Sequence, residues 1–442
     1  VSSVPGGIDG LEVRFDDGSL VADAGLLLAG TVMSRLGLEA LVGDAVRLGG
    51  PAGAGPGRKV LSLVASMLVG GRCIDDTGRL RSGASGAVLP FEPVAPSTVG
   101  SFLRSFTFGH VRQLDKAAEQ ALARAWSVGA APAVAEMTLD LDSTVCEVCG
   151  TAKHGAAYGH SGVLGYHPLV AVRADTGEVL HTRMRSGSSE RGHEHFAREA
   201  LARVRRLAAD AAVTVRADAG FFSYGMIAAI GAHGASYSIT IPHNAKVKAA
   251  NEAIDDNAWA PIAYTRGGEA QVAETTIDTG RRGDGAPAKL RLITRRSRLL
   301  GAQGELWPDW RYHSFVTDRA DLDPVAADAY HRAHATVELA IRDLKENAGL
   351  SRCPSGRFCA NAAWLACCAL AHNLARWTAR IGRAHPTRQL TVAATIRNRL
   401  LAMPGRLVNH SRQHILRLPL NWPWQNTFTT ALTHTPNLPQ LI

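Results

Sequence analysis

The sequence predicts a mixed α/β protein, and three observations carry that reading. Three short β-rich runs follow one another between residues 137 and 185, and helical and strand patterns then alternate to residue 241. Residues 1–130 carry mainly helical apolar spacing. Residues 244–317 turn to alternating apolar and polar positions, rich in Gly, Thr and Arg. A mixed sheet covered by helices, preceded by a mainly helical region and interrupted by a β-rich insertion, accounts for all three.

In the helical N-terminal region, LEVRF alternates and reads as a short strand, while LLLAGTVMSRLGLEALVGDAV and KVLSLVASMLVGG have helical spacing. GGPAGAGPG at 49–57 is a loop, because Gly and Pro at that density cannot hold a helix. Residues 97–126 read as two helices, with Ser97 or Thr98 as an N-cap and a break at FTFGH.

The first part of the α/β unit spans 131–243. Strands are expected at 137–145, 166–173 and 178–185, the last two joined by the Asp-Thr-Gly turn at 175–177. A helix follows at 193–208, with Phe196, Leu201, Val204 and Leu207 on one side. Then come a strand at 213–218, a helix at 223–233 and a strand at 236–241. Within the 244–317 insertion, QVAETTID, KLRLITRR and YHSFVTD are the strand-like pieces. The second part of the unit, 318–385, opens on a helix with Asp323 as N-cap and Pro324 in its first turn, running to Asn347 and stopped by Gly349. A further helix is expected at 357–382, and 386–442 is a basic tail with little readable pattern.

With 442 residues, 46% of them hydrophobic, the chain can bury a sizeable core. A net charge of +9 favours a polyanionic partner. VSSVPGGIDG lacks the basic and apolar regions of a secretory signal, and the apolar run NAAWLACCALAHNLARW is too short and polar to be expected to span a membrane. The seven cysteines, odd in number and in apolar settings, point to a reducing cytoplasm.

Three carboxylates stand out by their settings: Asp142 in MTLDLDSTV, Asp218 in VTVRADAGF and Glu338 in HRAHATVELAIRDLKE. The first two end short strands and the third lies on a helix. Read singly, a strand Asp is a surface or turn residue and a helix Glu is solvated. Asp140 and Asp142 are harder to dismiss, since strands disfavour Asp and both point to one face. If their strands are neighbours, Asp142 and Asp218 meet, and a helix packed across the sheet edge can bring Glu338. Gathered carboxylates repel unless a cation joins them. Mg²⁺ (or Mn²⁺) takes hard oxygen ligands and keeps its waters, so three carboxylates suffice for the two ions that phosphodiester chemistry uses.

His334, Glu338, Arg342 and Lys345 share one helical face, a carboxylate flanked by phosphate-binding cations, with Arg332 nearby; the alternative is a solvated charge face. The 97–126 pair reads either as a helix-turn-helix that turns Ser97, Ser101 and Arg104 toward DNA or as ordinary helical packing. Trp259, Trp307, Trp310 and Tyr312 could stack on an unpaired base or form the insertion's own core. Cys146 and Cys149 resemble half of a zinc site without its other half, and the glycines at 49–57 lack P-loop spacing.

These residues resemble the DDE transposases of bacterial insertion sequences, which have an RNase H-like core. LDLDST matches the first Asp, VRADAGF the second and VELAIRDLKE the Glu; GYHPL, MRSG and the NAAW…HNLARW run are similar too. The resemblance covers about 131–382 and is nearest to the branch with a β-strand insertion between the second Asp and the Glu. The spacing agrees: the interval from Asp218 to Glu338 is longer than that from Asp142 to Asp218, which leaves room for the insertion. In that branch the Glu helix reads Tyr-x2-Arg-x3-Glu-x6-Lys; here Glu338 and Lys345 fit, while His331 and His334 occupy the Tyr and Arg positions. Asp142, followed by Ser-Thr, matches the ligand position, leaving Asp140 as a supporting or alternate ligand. The resemblance implies metal-dependent cleavage and strand transfer of double-stranded DNA, terminal inverted repeats and target alike, by a homodimer assembled on DNA at the bacterial nucleoid. The rivals are an RNase H-like nuclease that never joins and a non-catalytic DNA-binding regulator.

Overall fold

The computed structural model describes residues 4–5, 12–265, 267–280, 287–299, 310–384 and 391–441. Its N-terminal region holds α1 (Leu26–Arg35), α2 (Leu38–Ala45), α3 (Pro56–Leu68), α4 (Pro96–Arg104) and α5 (Phe108–Ser127). The chain turns between α1 and α2 at Gly37, whose φ of 59° favours glycine. Every residue of α3 except Arg58 is buried, so it is the central helix of this region. The expected cap at Ser97 or Thr98 is displaced. Ala95 takes the cap position and Pro96 opens α4, where a missing N–H costs nothing. Thr107 caps α5, and the His110 ring accepts from its backbone N–H.

Helices and strands then alternate: β1 (Glu136–Ser143), β2 (Leu169–Arg173), β3 (Val179–Arg183), α6 (His193–Leu207), β4 (Ala212–Ala217), α7 (Tyr224–Gly231) and β5 (Ser236–Thr240). The insertion adds α8 (Ala245–Glu252), β6 (Ala260–Ile262), β7 (Gly268–Asp278), β8 (Lys289–Leu299) and β9 (Arg311–Thr317). All nine strands join one sheet in the order β6-β7-β8-β9-β5-β4-β1-β2-β3. β1, β4 and β5 are parallel neighbours, linked through helices; the remaining pairs are antiparallel. The fold is therefore mixed α/β, as expected. The insertion is continuous with the core sheet, because β9 pairs directly with β5.

The helix expected from Asp323 to Asn347 is interrupted. Asp323 caps α9 (Pro324–Arg332), a tight turn covers Ala333–Ala335, and α10 (Thr336–Asn347) follows. A contact from across the sheet falls at the break. Arg216 Nη1 donates to the Tyr330 carbonyl at 2.6 Å, the acceptor a continuous α-helix would offer to the N–H of His334. His331 is fastened in the core between Ser238 and Thr240, 2.9 Å from each hydroxyl, and stacks on Phe315. Burial and the neighbouring His313 push its pKa down to about 2, so it acts as a neutral pin.

α11 (Phe358–Ile381) is longer than the apolar run that first marked it, and by length and composition it could cross a membrane. Its place in the fold accounts for that composition: 89% of its most apolar stretch is buried inside the protein. The chain end returns to the N-terminal region. Gly405–His410 pairs with Gln413–Arg417 on one side and with Leu20–Val21 on the other.

Candidate active site

Asp142 stands at the end of β1 and Asp218 just past the end of β4. These strands are parallel neighbours, with Leu141 opposite Ala217. One further step of that register sets Asp142 across from Asp218. Asp218 leaves the sheet as the cap of a short turn, its Oδ1 accepting from the Gly220 N–H at 3.0 Å. Asp142 Oδ1 accepts from the Ser143 N–H at 2.6 Å. Glu338 is exposed on the first turn of α10, which packs across β1 and β2.

The three acids share one electrostatic field. Burial pushes the Asp142 carboxyl up to about 6; the Ser143 N–H opposes this, Asp218 and Glu338 add to it, and His334 counters them. The set is open: among the described residues no three His, Cys, Asp or Glu side chains close on one ion position. Its donors fit Mg²⁺ or Mn²⁺ all the same. They are hard carboxylate oxygens whose repulsion a cation relieves, and such an ion keeps several waters.

Asp140 is differently placed. It is fully buried, and Arg216, its register partner on β4, holds both its oxygens at 2.7 and 2.9 Å. His334 Nδ1 lies 3.1 Å from Oδ1, and Thr336 Oγ1, which donates to the Ala333 carbonyl at 2.9 Å, lies 3.4 Å from Oδ2. With its acceptors so engaged, Asp140 supports the site by locking β1, β4 and the turn before α10 together; the alternate-ligand role finds no free oxygen here.

The remaining candidates divide. Arg342 is exposed; Lys345, half-buried, lies close enough to oppose in part the rise that Cys353 and burial impose on the Cys146 thiol pKa. Arg332 is exposed and gives its Nε to buried Asp328, to Oδ2 at 2.8 Å. Ser97, Ser101 and Arg104 share the exposed face of α4. Ser97 and Arg104 line a groove of ≈1200 Å³ together with Arg72, Lys153 and Arg352. Trp259 is buried against the Arg296 guanidinium, which is 4.2 Å from its ring, and lies 6.2 Å from Tyr312. Arg296 and Arg298 also face Trp310 at 4.7 and 4.3 Å. Trp259 thus belongs to the packing of the insertion, while Trp310 is half-buried and Tyr312 exposed; Trp307 lies outside the described residues.

A group beside the acids carries no direct signal in the sequence. His167 Nε2 sits 3.0 Å from the Ser143 hydroxyl, next along the chain from Asp142. Arg185 lies behind His167, and His193 behind Arg185. The only sequence signal was indirect: GYHPL contains His167 and MRSG contains Arg185.

Candidate carboxylates thus stand at the ends of two adjacent parallel strands, with a third on the covering helix. The chain belongs to the family described as transposase DDE domain group 1, whose model matches residues 6–440. No curated protein matches the sequence. Seven chains of solved structures match. Among them is a piggyBac transposase seen by cryo-electron microscopy in a synaptic complex with hairpin DNA, 12% identical, covering 86% of this chain and 78% of that one, with a TM-score of 0.44.

Proposed function

We propose that this chain is the transposase of a bacterial insertion sequence, working in the cytoplasm on the terminal inverted repeats of its element. The observation that carries this reading is the meeting of Asp142, Asp218 and Glu338 in one field on a chain of this family. Two Mg²⁺ or Mn²⁺ ions, when bound by these carboxylates, supply neutralisation of phosphoryl charge and activation of the attacking oxygen. Everything else falls to the chain. The Asp140–Arg216 pair keeps β1 and β4 in register, so that Asp142 and Asp218 stay side by side. Arg342 and Lys345, one and two turns beyond Glu338, take up phosphates of the bound strand. The groove bearing Arg72, Arg104, Lys153 and Arg352 receives the flanking duplex. In hydrolysis the P–O3′ bond breaks, water oxygen joins the 5′-phosphate and a 3′-OH is freed; that hydroxyl then attacks a target phosphodiester, forming a new P–O3′ bond as the target's own P–O3′ bond breaks and its 3′-OH leaves. Pairing of two ends makes the DNA-bound form a dimer.

Asp142→Ala, Asp218→Ala and Glu338→Ala should each retain binding to a terminal-repeat duplex while Mg²⁺-dependent cleavage falls to background. Full cleavage by any one removes that residue from the site. Cleavage by the unmodified chain without joining of pre-cut ends would make it a nuclease, and binding with no cleavage a regulator.

A further inference from the structure

Among the described residues, the buried arginines are Arg173, Arg185, Arg203 and Arg216. Arg173 pairs with Asp175, Arg203 with Asp115 and Arg216 with Asp140. Arg185, 7% exposed, has no carboxylate partner among the described residues. Its Nε donates to the His167 carbonyl at 2.9 Å and its Nη1 to the Arg191 carbonyl at 3.0 Å. Nη1 also lies 3.1 Å from His193 Nε2, and Nη2 3.4 Å from His167 Nδ1. Burial, then the Arg185 charge, lowers both histidine pKa values, that of His193 to about 4. Both rings are therefore neutral at physiological pH and orient the guanidinium without balancing it.

Arg185 also meets the wrong end of a helix. α6 starts at His193 with Gly192 at its cap and no side-chain acceptor for its first-turn N–H groups. The positive end of that helix and a buried cation share one location; Glu194 is the acid of the helix's first turn, and a further anion would relieve the excess positive charge there. Neither of the acids nearby, Glu194 in the first turn of α6 or Asp218, forms an ion pair with Arg185. Glu194 Oε1 accepts from the Ser223 hydroxyl at 2.7 Å, and Asp218 lies at the strand ends beyond His167. A phosphodiester has the required chemistry: one negative charge and several acceptor oxygens, delivered with the substrate.

We propose that Arg185, oriented by His167 and His193 at the start of α6, binds a DNA phosphate next to the one cleaved at Asp142 and Asp218. The DNA part of this rests on the function proposed above; the anion site itself does not. Two measurements separate them, both on the full chain. Inorganic phosphate should raise the melting temperature of the unmodified protein, and Arg185→Gln should abolish that shift. A terminal-repeat duplex with single methylphosphonates should show one position, beside the cleavage point, where neutralisation weakens binding about tenfold. Arg185→Gln should be insensitive at that position, and its log–log salt slope should be smaller by about one.

A phosphate-induced shift that persists in Arg185→Gln, or an identical methylphosphonate pattern in both proteins, overturns the proposal. If Arg185→Gln does not fold, Arg185→Lys and His193→Asn, which disturb the fork and its orientation, are read by the same two criteria. A merely structural Arg185 would change stability without producing the position-specific loss. A phosphate shift that depends on Arg185, in a chain that cuts no DNA, upholds the anion site and sinks the transposase reading alone.

Discussion

Asp140 and Asp142 are two residues apart on one face of β1, yet their energetic roles are opposite. Asp140 is neutralised by Arg216 in a fully buried, two-pronged pair. Asp142 has the Ser143 N–H for support and two acids for neighbours. Asp140→Asn leaves Arg216 buried without its counter-charge and should cost ~3–5 kcal/mol of stability. Asp142→Asn should instead stabilise the metal-free protein, by ~1–3 kcal/mol, while ending catalysis. The sign follows from the shift: an acid raised from 3.8 to about 6 on folding penalises the folded state increasingly as pH rises between those values. The Asp142→Asn advantage is therefore absent below about pH 4 and complete above about pH 6, as urea unfolding in EDTA across that range would record. A variant less stable than the parent at pH 7 refutes the burial of an Asp142 carboxyl beside other acids. Both acids were visible in LDLDST, but their division of labour was not. It depends on Arg216, which is far from Asp140 in sequence and becomes its partner only through strand register.

At the level of elements, the core strands were legible because each is a short run of apolar and β-branched residues bounded by turn residues. What binds them to other elements was less so. Arg216 donates to a carbonyl at the α9–α10 break, and nothing in the local sequence marks that contact. The edge strand β3 is a second case. Register slips by one residue between Ala171 and Val172, and the freed carbonyl of Leu180 accepts from Arg203 at 2.7 Å. On the open edge, Asn373 of α11 does the work of another strand. Its Oδ1 accepts from the Val179 N–H and its Nδ2 donates to the Val179 carbonyl, both at 2.8 Å. Asn373→Leu leaves two buried backbone groups unsatisfied and should lower stability by ~2–4 kcal/mol. Hydrogen exchange should show the Val179 amide losing protection before the centre of β1 does. Equal protection in variant and parent would mean that the amide bonds are dispensable. The HNLARW segment that caught the eye in the sequence thus holds Asn373 for a backbone reason.

On the scale of the whole molecule, the feature least readable in the sequence is the return of the C-terminal segment. Its elements are short, and what holds them lies at the opposite end of the chain, so no local pattern marks them as anything but a basic tail. In the structure the Ala24 N–H donates to the Met403 carbonyl at 2.6 Å, Leu407 N–H to Ser19 at 2.9 Å and Leu441 N–H to Arg35 at 2.8 Å. Approach is so close that a Cβ on Gly25 would lie 1.7 Å from the Leu400 carbonyl oxygen. Ile396, Leu400, Leu401, Met403 and Phe428 are all buried there. At ~1.5–3 kcal/mol for each, their burial is worth on the order of 10 kcal/mol before entropy. That is comparable to the ~5–15 kcal/mol that holds an ordinary domain folded. The segment is thus structural to the region that bears α4 and its DNA-facing candidates. A chain ending at residue 384 should lose its cooperative thermal transition and be cut rapidly by protease within α1–α5, and adding residues 385–442 as a separate peptide should restore protection. Gly25→Ala, with the full chain present, should reproduce the same defect by forcing the two segments apart. If the shortened chain instead melts at the parental temperature, the tail is an appendage, and the groove beside α4 must owe its shape to the N-terminal helices alone.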